Sequence, residues 1–75
     1  MVFDKVRDMI AEQLQVDAKM IAPESRLVED LKADSANVMV LILELESEFN
    51  IEVEDEVILG LKTVGDVVKY IEANQ

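Results

Sequence analysis

The chain has 75 residues, 17 of them acidic and 7 basic, for a formal net charge of −10, and it contains no histidine, cysteine or tryptophan. That composition removes the commonest general base and metal ligand, any disulfide and any thiol nucleophile. It also disfavours nucleic acid, whose phosphates would be repelled, and anionic membrane surfaces, and points to basic protein surfaces as partners.

A chain this short buries only about 60% of its unfolded surface, so a single domain spanning residues 1–75 is expected. Half of its residues are hydrophobic, enough for a compact core. The segment Met1-Val2-Phe3-Asp4-Lys5 lacks the apolar stretch of a secretory signal. No run approaches the roughly 20 apolar residues that cross a bilayer. A cytoplasmic location is therefore expected. Catalysis would have to rely on carboxylates, lysines and hydroxyls alone, and the chain is expected not to be an enzyme.

Phe3, Val6, Ile10 and Leu14 recur at helical spacing with Asp4, Lys5, Asp8 and Glu12 between them, which predicts an amphipathic helix over about 3–14. Residues 15–34 break any period around Pro23 and read as a long loop pinned by Val16, Ile21, Leu27 and Leu31. Loops of that length in small domains are more often functional than incidental. This one delivers the chain to Ser35. Beyond it, Val38, Leu41, Ile42, Leu45 and Phe49 share one face about 100° wide, predicting a helix over 36–49 with Asp34 as N-cap. Leu43 to Glu54 also alternates like a strand. Leucine and glutamate are strong helix formers, which favours helix up to Phe49 and an extended connection through Ile51 and Val53.

Asp55 to Leu59 suits a short helix, with Gly60 placed to cap it. Thr63-Val64-Gly65-Asp66 reads as a capping box. Val64, Val67, Val68 and Ile71 then mark a last helix over 64–73. The expected fold is all-α: three main helices, one short helix near 55–59 and the long loop 15–34.

Three stretches carry chemistry. Ser35 is first. A serine at a helix start is common, but this position favours an attached phosphate through the helix dipole and free amides. No His or Cys is present to make it a triad nucleophile, so Ser35 reads as an acceptor of modification. Second, eight acidic residues and no basic one lie between Lys32 and Lys62: Asp34, Glu44, Glu46, Glu48, Glu52, Glu54, Asp55 and Glu56. They form either a solvated face or a docking surface for Lys/Arg patches; the spacing excludes an EF-hand calcium loop. Third, Ala36, Met39, Val40 and Leu43 make a second apolar stripe on the central helix, either buried by a second layer or presented to partners. A three-helix bundle of this size has nowhere to bury that stripe. Val40 is therefore expected to be exposed, and a monomer with weak self-association at high concentration follows.

Taken in order, Asp34-Ser35, the hydrophobic helix after it, Glu46-Ser47-Glu48-Phe49, Ile51-Glu52-Val53, Asp55-Glu56 and the run Lys62 to Ile71 resemble the acyl carrier proteins of bacterial type II fatty acid synthesis. The likeness spans the whole chain. It implies that Ser35 carries 4′-phosphopantetheine through a phosphodiester, that the arm's thiol holds an acyl chain as a thioester, and that the bundle interior shelters that chain. It also implies partners: a phosphopantetheinyl transferase, and basic patches on acyl-transferring, condensing, reducing and dehydrating enzymes. On this chain their docking surface would comprise Asp34, Ala36, Asn37, Met39, Val40, Leu43, Glu44, Glu46, Glu48 and Glu52. Three positions depart from the family pattern. The usual Asp-Ser-Leu-Asp is here Asp34-Ser35-Ala36-Asn37, and Val40 stands where Glu is usual. The attachment serine is intact, so these departures bear on partner choice and leave open a specialised carrier for a polyketide or other dedicated pathway. An unmodified acidic helical adaptor for a basic protein is the separate alternative.

Overall fold

The computed structural model describes all residues, Met1–Gln75. Four helices follow one another: α1 (Val2–Leu14), α2 (Ser35–Phe49), α3 (Asp55–Gly60) and α4 (Val64–Asn74). Each lies within one residue of its expected bounds. The alternating segment 43–54 divides as helix propensity predicted, with α2 running to Phe49 and an extended connection following.

The long helices end on residues that reverse the chain. Gln15 and Asn50 both adopt left-handed conformation, with φ 56° and 54°. After α1, the amides of Gln15 and Val16 donate to the carbonyl of Ala11; after α2, those of Asn50 and Ile51 donate to the carbonyl of Glu46. Orphan carbonyls at both ends are thereby satisfied.

Gly60 does not act as the expected left-handed cap. It is the last residue of α3, and no glycine in the chain has positive φ. The physical reason is downstream. Leu61 is extended and leads into a short pairing with the loop, where Arg26 and Thr63 form an isolated antiparallel bridge. The Leu27 amide donates to the Lys62 carbonyl at 2.9 Å and the Val64 amide to the Ser25 carbonyl at 3.0 Å.

Residues 15–34 are correspondingly more ordered than the expected plain loop. A 3-10 turn at Ala18–Met20 is capped by Asp17, whose carboxylate accepts from the Lys19 amide at 2.9 Å. The Leu27 carbonyl accepts from the Ala33 amide, and the Arg26 carbonyl from the Asp30 and Leu31 amides. The Gly65 amide donates to the Pro23 carbonyl at 2.7 Å, and a Cβ at Gly65 would sit 3.0 Å from that oxygen. Glycine there permits the loop to lie directly against α4.

The core is wholly apolar. Val6 and Ile10 of α1, Leu41, Ile42 and Leu45 of α2, and Val64, Val67, Val68 and Ile71 of α4 are buried together with Ile21, Leu27, Leu31 and Ala33 of the loop. Of the four expected loop anchors, Val16 is only half-buried. α1 packs on both α2 and α4. The short α3 buries no residue fully, although Val57 and Ile58 are half-buried. α4 starts with the expected capping box: Thr63 Oγ1 accepts from the Asp66 amide and Asp66 Oδ2 from the Thr63 amide, both at 3.1 Å. No helix is long and apolar enough to cross a membrane.

Candidate attachment site

α2 begins at Ser35 because Asp34 stops the extended chain and caps the helix. Asp34 has φ −100° and ψ 177°, and its carboxylate accepts from the Asn37 amide at 2.8 Å. Its carbonyl accepts from the Val38 amide at 3.0 Å. The approach is held on both sides: buried Ala33 anchors it to the core, and the left-handed Lys32 turns it. Capping falls to Asp34, so the exposed Ser35 hydroxyl is not consumed by the helix. The amides of Ser35 and Ala36 belong to the first turn, where a helix has no acceptors of its own and an anion is favoured. The one carboxylate at this end is the cap itself, Asp34, which takes the Asn37 amide; none lies within the turn.

Ser35 lies on the lining of a cavity of about 400 Å³ between α2, α3 and the loop. Leu27 and Val38 form the deeper wall, with Ile58, Leu59 and Leu61 from α3 and its exit, and Met39 beside the serine. Arg26, Glu29 and Lys62 add exposed charged groups. Arg26 is engaged: its guanidinium donates to Glu29 at 2.7 Å and to Asp30 at 3.0 and 3.1 Å. Hydrogen bonds from the Arg26 side chain and amide hold the Asp30 carboxyl below the usual carboxylate range. Lys62 takes part in no ion pair, which leaves a free cation on the serine's cavity.

This arrangement fits an attached phosphodiester arm. The hydroxyl is reachable from solvent, the helix terminus suits its phosphate, and the adjoining cavity is apolar enough for a hydrocarbon cargo. It does not supply a base to Ser35, because Asp34 is committed to the Asn37 amide.

The other sequence-derived site residues divide. Ala36, Met39, Val40 and Leu43 form an exposed stripe; Met39 is 44%, Val40 42% and Leu43 60% exposed. Burial of this stripe by a second layer is thereby excluded. Asn37 is half-buried, and Glu44 and Glu52 are exposed. Glu46 and Glu48 have internal contacts. Glu46 is half-buried and accepts from the Val53 amide at 2.8 Å, and Glu48 pairs with Lys5 at 3.0 Å. With the Tyr70 hydroxyl donating to the Glu52 carbonyl at 3.0 Å, Glu46 fixes the extended connection after α2. Sequence reasoning missed the α3 wall. Its signal was present: Val57-Ile58-Leu59-Gly60-Leu61 is apolar on every side of a helix too short to bury all of it.

A model of the phosphopantetheine attachment site family matches residues 4–71. The chain is 52% identical to an acyl carrier protein of Helicobacter hepaticus, over 97% of this chain and 96% of that one. It is 51% identical to an acyl carrier protein of Clostridium acetobutylicum, over 99% and 96% respectively. The structure superposes on that of the acyl carrier protein from Enterococcus faecalis with a TM-score of 0.85 at 38% identity, covering 99% of this chain and 94% of that one.

Proposed function

The chain belongs to the acyl carrier protein family with its phosphopantetheine attachment site, and from that premise we propose that Ser35 is the residue that bears the arm. The protein is a non-catalytic carrier of acyl intermediates in fatty acid biosynthesis, and its cofactor is covalent 4′-phosphopantetheine. When bound, that group supplies the thiol on which an acyl chain is held as a thioester, a function this cysteine-free chain lacks.

The position of Ser35 carries the proposal: exposed at the first turn of α2, free of the cap, and on the lining of the apolar cavity. Each neighbour has a definable part. Asp34 fixes where the helix starts and so where the hydroxyl stands. The first-turn amides favour the phosphate. Leu27, Val38, Ile58 and Leu61 offer an apolar wall that keeps water from a hydrocarbon cargo. The acyl chain is thus sheltered between α2 and α3.

Family membership implies contact with fatty acid synthesis enzymes and with a phosphopantetheinyl transferase. We assign the finer set to acyl-transferring, condensing, reducing and dehydrating enzymes whose basic residues meet the acidic border of the protein. The whole chain, 1–75, acts as one carrier domain in the cytoplasm. A carrier dedicated to a polyketide or another single pathway is the second reading. Exposed Val40, in place of the family's usual glutamate, favours it.

Intact mass spectrometry after incubation with coenzyme A and a phosphopantetheinyl transferase tests the assignment. The wild-type chain gains the mass of one phosphopantetheine and Ser35→Ala gains none. Modification that persists in the Ala variant would place the arm elsewhere.

A further inference from the structure

One cation on the cavity of Ser35 has no partner within the chain. The surroundings are hostile to the arm's phosphodiester, itself an anion. The chain carries a net charge of −10, Asp34 adjoins the serine, and no basic residue follows Ser35 until Lys62. The fold brings that lysine back. Lys62 lies just beyond the end of α3 and lines the same cavity of about 400 Å³ as Ser35. Arg26 is the other cation on this lining, and its guanidinium is already forked onto Glu29 and Asp30.

Lys62 is held by its backbone and free in its side chain. Its carbonyl accepts from the Leu27 amide at 2.9 Å, and its amide donates to Asp66 Oδ2 at 3.1 Å. The adjoining Thr63 is bridged to Arg26. These bonds tie Lys62 to the loop and to α4 rather than to α3, which buries no residue fully. Ser35 is fixed too, by the Asp34 cap and by buried Ala33. The Lys62 side chain is exposed and joins no ion pair.

We propose that Lys62 is a positioning residue for the arm: its ammonium pairs with the phosphodiester on Ser35 and directs the rest of the arm along the cavity toward Ile58 and Leu61. The proposal rests on the carrier reading and adds a residue to it. The phosphodiester is the charged group at the root of the arm, whereas a hydrocarbon cargo offers a cation nothing. Lysine meets phosphate as a point charge on a flexible stem, so the pair needs no fixed fork of donors. Because the pair is exposed, its effect is small and screened by salt.

Holo protein, verified by mass, tests it through the arm itself. Lys62→Gln, Lys62→Arg and Lys19→Gln are compared with wild type. Lys19 is exposed, joins no ion pair and lies off the cavity lining, so its variant makes the same change in net charge elsewhere. The first readout is the phosphorus NMR linewidth of the phosphodiester. It should narrow in Lys62→Gln, and the wild-type line should narrow likewise as salt rises from roughly 50 to 300 mM. The second readout is thioester cleavage by hydroxylamine after loading with a medium-length saturated acyl group. Lys62→Gln should be cleaved about two- to fivefold faster than wild type. Lys62→Arg and Lys19→Gln should match wild type in both readouts. A linewidth in Lys62→Gln equal to that of wild type would overturn the pair, whatever the cleavage rate. A narrowed line with an unchanged cleavage rate would overturn the directing of the arm. Equal changes in Lys19→Gln would overturn both, by reducing the effect to net charge. Failure of the carrier reading looks different: wild type would gain no arm, or Ser35→Ala would gain one, and mass alone would show it before any lysine variant is compared.

Discussion

Leu41, Ile42 and Leu45 on one side of α2 are almost completely enclosed, while Met39, Val40 and Leu43 on the other side stand 42–60% exposed. Side chains of the same kind, two residues apart, therefore have different roles. The inner set touches the core that α1, α4 and the loop build together, and full burial of such side chains contributes about 1.5–3 kcal/mol each. The outer set has no fourth layer to meet. α3, the one remaining element, buries nothing fully and leaves a cavity against α2 rather than a seam. In a domain this small, surplus apolar residues on a central helix are therefore surface.

Substitution at Leu45 gives the largest break in that contrast. Leu45→Ala should lower unfolding free energy by about 2–5 kcal/mol, read from denaturant melts. A loss below 1 kcal/mol would show that the inner face is loosely packed.

The core that the inner face joins also depends on where α4 begins, because Val64 and Val67 belong to the same buried cluster, and that start is set by Thr63 and Asp66. Hydrogen bonds from the Thr63 and Lys62 amides hold the Asp66 carboxyl below its ordinary range. A depressed carboxylate pKa stabilises the fold above the unfolded value of about 3.9, and the benefit is lost as pH falls through the lower folded value. Wild type should therefore exceed Asp66→Asn in stability near neutrality, and the gap should shrink as pH falls below the ordinary carboxylate range. A gap that stays constant with pH would separate the cap from Asp66 ionisation.

The smallest effects belong to the outer face. Leu43→Ala and Val40→Glu should each stay within about 0.5 kcal/mol of wild type. A larger cost at either position would mean that this face packs against something within the chain.

Local pattern carried the helices far. The 3.6-residue spacing of Val64, Val67, Val68 and Ile71 placed α4, and all four are buried. Asp34 and Thr63 were readable as caps because capping spans only three residues. Exposure of Val40 followed from counting layers rather than from its own residue type. The features that escaped are non-local. Nothing near Glu46 announces that its carboxylate folds onto an amide seven residues later. Gly60 looked like a left-handed cap until the pairing of Leu27 with Lys62 and of Ser25 with Val64 drew the chain straight on. The same pairing gives residues 15–34 their order. The cavity beside Ser35 arises between elements distant in sequence, and only the apolar excess of residues 57–61 hinted at it.

The central claim is that Ser35 places its cargo against the Val38 flank of α2, between that helix and α3. Nuclear Overhauser contacts in the holo protein carrying a medium-length saturated acyl group, on uniformly deuterated chain with protonated Ile, Leu and Val methyls, test it most directly. The account predicts contacts from the acyl methylenes to the methyls of Val38, Ile58 and Leu61. Contacts to Val40 and Leu43 instead, or an acyl chain that touches no methyl of the protein, would contradict it.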